Sequence, residues 1–142
     1  MSKVVVVYTQ IKSILKTSKT IAVVGLSDRA ERDSYVVAKY LYNAGYSIIP
    51  INPNISEWND IKAYASLLDI PSSIKIDIVD IFRRSELVEE IVDQALQMKN
   101  KPRVIWLQLG IENEKPAEKA RAAGILVIQN RCIRIEHEKI MG

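Results

Sequence analysis

Five short polar segments of this chain carry residue types that bind anions, and each closes an apolar run. They are Gly25-Leu26-Ser27, Asn52-Pro53, Phe82-Arg83-Arg84, Gln108-Leu109-Gly110 and Asn130-Arg131-Cys132. Together they offer small, amide, hydroxyl and guanidinium groups with almost no acid, which is the chemistry of an anion site. Arginine suits phosphate because its planar fork donates two hydrogen bonds at once. Arg32 and Ser34, a few residues past Ser27, extend the same donor set.

The elements that position these segments are expected from hydrophobic spacing. Ile21–Val24 is a short continuous apolar run, as in a central parallel strand covered on both faces. Gly25 ends it, where the backbone must turn sharply or admit a close neighbour. After the polar loop 26–32, Asp33 or Ser34 is expected to cap a helix. Val37, Leu41 and Ala44 form the core stripe of that helix, and Gly45 stops it. A strand, a glycine turn and a helix N-terminus aimed back at the strand end make an anion site.

Ser47–Ile51 reads as a second strand, ended by Asn52-Pro53-Asn54. Lys62–Tyr64 is expected as a short edge strand, with a turn of helix over Ala65–Leu68 and a stop at Ile70-Pro71. Ile76–Phe82 is a third buried run, interrupted by Asp77 and Asp80. Because a strand repeats every two residues, these two carboxylates fall on opposite faces and share no acid–base site. Ser85 is expected to cap a helix with a wide apolar stripe from Leu87 to Leu96. Val104–Leu107 is a fourth strand, followed by a helix that Asn113 caps and Pro116 enters in its first turn. Ile125–Ile128 is the fifth strand, and the tail to Gly142 is expected to hold a final turn or two of helix. Before all of these, Val4–Val7 has the β-branched character of a strand, and Thr9 is placed to cap a helix through Thr17. The alternation predicts an α/β fold: a single Rossmann-like, doubly wound parallel sheet with helices on both faces. Residues 1–19 form an N-terminal extension and 20–142 the ligand-binding domain.

A chain of 142 residues with a net charge of +3 is expected to be one globular domain with a sizeable core. Its basic residues are spread out, which favours small anions over nucleic acid. A single cysteine excludes an internal disulfide and fits a reducing, cytoplasmic setting. No apolar run reaches the roughly 20 residues that span a bilayer. A dinucleotide fingerprint needs GxGxxG after the first strand and an acid after the second, but the chain has GLSDRAERDS and Asn52-Pro53. A phosphate-loop NTPase is excluded because no GxxxxGK[ST] occurs.

The runs IAVVGLS, SYVVAKYLYNAGY, IIPINPN, KAYASLLDIP, IDIVDIFRRSE, VIWLQLGI and VIQNRCIRIEH resemble the stand-alone CoA-binding domain proteins. Their fold is similar to the nucleotide-binding domain of the succinyl-CoA synthetase α subunit. The resemblance runs from about Thr20 to His137. It implies that coenzyme A, or an acyl-CoA, lies with its ADP part across the strand ends. Gly25 and Ser27 would then meet phosphate, Asn52-Pro53 would border the adenosine, and Phe82-Arg83-Arg84 would close the other side. The chain departs from the family where Trp58-Asn59-Asp60 replaces a loop that usually carries glycine, and where DRAERDS replaces a loop with prolines. In the synthetase a separate domain carries the phosphorylated histidine. The resemblance here covers only the domain before it, so binding is favoured over catalysis, alone or with a partner chain.

Rival readings remain beside this one. Arg83-Arg84 can be a solvated helix start, although two cations at a helix N-terminus oppose its dipole unless an anion lies between them. Cys132 is either a small buried hydrophobe or, beside Arg131, a thiolate that reacts with the CoA thiol or a thioester. His137 reads as a surface residue of the tail and pairs poorly with Cys132, so neither a dyad nor a metal site is expected. Trp58 and Trp106 read as packing residues. A nicotinamide-nucleotide sensor is a third reading, but it would need an attached DNA-binding region, for which 142 residues are expected to leave no room. The run of four valines offers a surface through which two chains could pair as a homodimer.

Overall fold

The computed structural model describes residues 3–141, with side chains from residue 7 onward. The chain runs α1 (Lys3–Thr17), β1 (Thr20–Val24), α2 (Asp33–Asn43), β2 (Ser47–Ile51), β3 (Glu57–Trp58), β4 (Ile61–Lys62), β5 (Ile78–Ile81), α3 (Val88–Gln97), β6 (Val104–Leu107), α4 (Glu114–Ala122), β7 (Leu126–Ile128) and α5 (Ile133–Met141). Five strands make one parallel sheet in the order β2-β1-β5-β6-β7, and β3 and β4 form a separate antiparallel hairpin. This is the Rossmann-like α/β architecture. The order reverses between β1 and β5, which opens a crevice at their carboxyl ends.

Alternate residues of each strand separate the core into two layers. Ile21, Val23, Ile78, Val104 and Trp106 pack against α1, α2 and α5, through residues such as Ile14, Leu41 and Ile133. Ala22, Val24, Val79, Ile81, Ile105 and Leu107 meet α3 and α4, through Val92, Ala95 and Ala120. Pro50 is tolerated because β2 is an edge strand, where no ladder bond needs its nitrogen. At Gly45 (φ +105°) α2 stops in a left-handed turn, with Gly45 N donating to Tyr42 O and Tyr46 N to Leu41 O.

Several local expectations are corrected. Val4–Val7 belongs to α1, not to a strand, because the helix continues into Ile11, Ile14 and Leu15, all buried on the sheet. Thr9 therefore lies inside a helix rather than capping one. Pairing of the valine run between chains concerns residues 4–6, whose side chains lie outside the described ones, and Val7, which packs partly buried against the core. Arg32, not Asp33 or Ser34, is the N-cap of α2. Ser85 starts a short 3₁₀ turn (Ser85–Leu87) ahead of α3, and its hydroxyl accepts from Glu112 N instead of capping. Asn113 holds the N-cap position of α4, but its side chain donates to Ser85 O. The edge strand expected over Lys62–Tyr64 is the hairpin strand Ile61–Lys62 with a separate bridge from Tyr64 to Ile51. The hairpin turns at Asn59 (φ 53°) and Asp60 (φ 63°), side chains that tolerate the left-handed region and so replace the expected glycine.

His137 is buried, not at the surface. Its Nδ1 lies 2.7 Å from the Tyr40 hydroxyl, and its ring stands edge-on to Tyr40 and Tyr46. Burial pulls its pKa below the usual value. Both tryptophans are buried, Trp106 with Nε1 donating to Arg131 O at 2.8 Å. Asp77 and Asp80 take different surroundings. Asp77 accepts from the amides of Lys19 and Thr20, whereas Asp80 is fully buried and neither of its oxygens meets a hydrogen-bond partner among the described residues. Burial pushes the Asp80 carboxyl well above the carboxylate range. Among the described residues no helix is long and apolar enough to cross a membrane.

Candidate functional site

The crevice at the carboxyl ends of β1 and β5 is a polar cradle joined to an apolar groove. Gly25 follows β1 with φ +86°, and its own amide is spent on Ile51 O at 2.8 Å. It contributes room, not a donor: a Cβ there would lie 2.6 Å from Phe82 O and 3.3 Å from Arg83 Nε. No other residue fits both the turn and the space. Arg83 is thereby laid over the turn, and no carboxylate pairs with it among the described residues. The ion pairs nearby go to Arg84–Glu86 and Arg29–Glu31, both 3.3 Å and well exposed.

The loop after Gly25 is folded on itself by its hydroxyls. Ser27 N donates to Ser34 Oγ and Arg29 N to Ser27 Oγ, each at 3.0 Å. Both oxygens act as acceptors in these bonds, so each hydroxyl keeps its proton to donate elsewhere. This explains why Ser34 does not cap α2. Asn52 braces the loop from outside, its Nδ2 donating to Leu26 O and its Oδ1 accepting from Asn54 N. The first turn of α2 adds amides with no partner inside the helix, and positive potential from the helix dipole.

The structure brings Gly25, Ser27, Arg32, Ser34, Asn52, Phe82 and Arg83 around one space of about 570 Å³. The neighbouring groove of about 740 Å³ is lined by Phe82, Arg83, Arg84, Gln108, Gly110 and Cys132 of the expected set. Pro53 stands apart from Asn52. It borders a small cavity of about 150 Å³ with Ile51, Ala65 and Ile91, which Arg83 also reaches. Arg83 is the residue common to all three spaces.

Two expected residues are scaffold as well as lining. Gln108 is buried, and its Oε1 accepts from Ile133 N at the start of α5. Gly110 N donates to Asn130 Oδ1 at 2.6 Å, and Asn130 itself is left-handed at φ 56°, so the loops after β6 and β7 are tied together. Cys132 is half-buried at the groove wall, while Arg131 pairs with Glu136 at 3.4 Å. His137 is held by the two tyrosines, so Cys132 and His137 make no dyad. The groove also takes Val36 and Val37 of α2 and Arg134, Ile135 and Glu138 of α5, which the sequence reading missed. Their only sequence signal is the Ile-x-Ile spacing after Cys132, where Ile133 is buried and Ile135 is left facing outward.

The profile of the CoA binding domain family matches residues 19–138. The chain is 44% identical over 128 residues to the uncharacterized protein YneT of Bacillus subtilis, covering 90% of this chain and 92% of that one. It is 31% identical over 106 residues to an ADP-forming acetate–CoA ligase II of Archaeoglobus fulgidus, covering 72% of this chain but only 16% of the ligase. A solved structure of a hypothetical protein from Pyrococcus horikoshii superposes with a TM-score of 0.88 at 40% identity, covering 95% of this chain and 92% of that one. By the family match over most of its length, the chain belongs to the CoA-binding domain proteins.

Proposed function

We propose that the protein binds coenzyme A through its ADP part at the carboxyl ends of β1, β2 and β5. The observation that carries this reading is the cradle at Gly25, where the missing side chain leaves room under an arginine that no carboxylate pairs among the described residues. The diphosphate would lie there, taking hydrogen bonds from the hydroxyls of Ser27 and Ser34, the first-turn amides of α2 and the guanidinium of Arg83, with Arg32 at the rim. The adenine base would take the small cavity beside Pro53, where Ile51 and Ile91 offer apolar contact and Ser66, Glu90 and Gln94 polar groups. The pantetheine arm would then run along Phe82 into the larger groove. Family membership supports the same ligand class. The reading assigns the chain a binding role.

A nicotinamide dinucleotide also carries an adenosine diphosphate, so the test must separate the two. Calorimetric titration with CoA and with NADH should show a saturable site for CoA and a much weaker one for NADH, because no acid ends β2 to hold a ribose diol. Equal affinities would overturn the assignment in favour of a general dinucleotide site.

A further inference from the structure

We infer that the groove beyond the cradle seats the alkyl part of an acyl thioester, so that the protein prefers CoA esters of short to medium uncharged acids over free CoA. The inference rests on the CoA reading above and names the ligand class within it. Three facts carry it. First, the groove is continuous with the cradle, since Asp33, Phe82 and Arg83 border both. Second, its far part is apolar and open. Val36, Leu109 and Ile135 line it and remain 38%, 65% and 46% exposed, whereas large exposed apolar residues elsewhere lie along other parts of the chain. An exposed apolar patch rimmed by polar groups marks an interaction surface.

Third, several polar atoms at that end are already engaged by the protein itself, though the Ser85 hydroxyl keeps its proton. Gln108 Oε1 accepts from Ile133 N, Ser85 Oγ from Glu112 N, and Gly110 N donates to Asn130 Oδ1. Two of the rim cations are already paired, Arg134 with Glu138 at 2.9 Å and Arg84 with Glu86 at 3.3 Å, and Arg83, unpaired among the described residues, is given to the phosphate in the reading above. What the far groove offers a ligand at Val36, Leu109 and Ile135 is hydrocarbon. A chain of methylenes fits it, whereas an acyl group ending in a carboxylate would lie against that hydrocarbon, away from an Arg83 already held by the diphosphate. The volume of about 740 Å³ is in the range of sites that enclose a whole small ligand, which leaves space past the pantetheine arm.

The test is a competition series with CoA, acetyl-CoA, butyryl-CoA, hexanoyl-CoA and succinyl-CoA. Affinity should rise by about two- to fourfold for each added methylene, following the burial of hydrocarbon. Succinyl-CoA should fall below butyryl-CoA. Ile135→Asp and Leu109→Asp, both at exposed positions, should each reduce the ratio of hexanoyl-CoA to CoA affinity, with circular dichroism confirming the fold. Equal affinities along the series with CoA itself bound would overturn this inference and leave the CoA reading standing. A slope that persists unchanged in both variants would place the alkyl chain elsewhere and overturn it too. A flat series accompanied by self-association that Ile135→Asp abolishes would assign the groove to a second copy of the chain. Failure of every ester and of CoA to bind would instead remove the reading on which it rests.

Discussion

At the amino end of the sheet, Asp77 Oδ2 takes hydrogen bonds from the amides of Lys19 and Thr20, and Arg103 stands 3.9 Å from its other oxygen. Arg103 also donates to Thr17 Oγ1, and the Tyr46 hydroxyl donates to Leu15 O at 2.6 Å. At the carboxyl end, Arg83 has no carboxylate partner among the described residues, two serine hydroxyls keep a proton to give, and the chain turns left-handed at Gly25, Gly110 and Asn130. The two ends are made from similar residue types. They differ in whether charge is closed within the protein or left open to a ligand. The closed end ties α1 to the sheet and serves stability, and the open end keeps donors in position without a partner. Stability and affinity should therefore respond to different substitutions.

The largest separation is expected from Ser27→Leu, which puts a bulky side chain where backbone and hydroxyl must approach a phosphate. CoA binding should be lost while the thermal unfolding midpoint stays near the wild-type value; unchanged calorimetric affinity would remove this loop from the site. At the other end, Asp77→Ala strips two amide bonds to a carboxylate and should cost about 2–3 kcal/mol in denaturant unfolding. CoA affinity in the folded variant should not change. A loss of affinity there would show that the two ends are coupled and break the comparison.

Arg83→Ala should weaken CoA by about tenfold, the equivalent of one charge-assisted hydrogen bond. The apo protein should unfold as before. Dephospho-CoA sharpens the assignment: an equal loss places Arg83 on the diphosphate, and a smaller loss places it on the 3′-phosphate. If neither affinity moves, Arg83 is a solvated residue at the entry to α3. The smallest effect concerns Asp80, which belongs to neither end. Its folded pKa is raised, so the folded chain keeps a proton that the unfolded chain loses above about pH 4. Its contribution is thus fully present below that pH and fades as pH rises toward the folded value. Asp80→Asn should flatten this dependence, removing a slope of at most about 1.4 kcal/mol per pH unit. Identical stability–pH curves for the two proteins would mean that folding leaves the Asp80 pKa where it is in the unfolded chain.

The strand ends were legible because apolar runs closed by glycine, asparagine or arginine mark them locally. Val104–Leu107 coincides with β6, and the loops at Gly25 and Phe82-Arg83 meet where the strand order reverses. The features that escaped depend on distant partners. His137 is buried by Tyr40 and Tyr46, nearly a hundred residues earlier, and a lone histidine in a charged tail carries no trace of that. The valine run near the N-terminus joins a helix because tertiary packing of Ile11, Ile14 and Leu15 outweighs the modest helix penalty of β-branched residues. The groove wall on α5 was unreadable for the same reason: Ile135 is separated from Val36 and Leu109 in sequence and meets them only once the sheet is assembled. The split between Asn52 and Pro53 arises in the turn after β2, where Asn52 is tied to Leu26 O and Asn54 N while Pro53 borders the small cavity.

The most direct test of the difference between the two ends is a titration of isotope-labelled protein with CoA, followed by amide chemical shifts. The account predicts that the amides from Leu26 to Ser34, those of Phe82 to Arg84 and those of Gln108 to Ile111 move on binding, while Lys19, Thr20 and Asp77 stay where they are. Shifts concentrated at Lys19, Thr20 and Asp77, with the Gly25 and Arg83 loops unmoved, would contradict it.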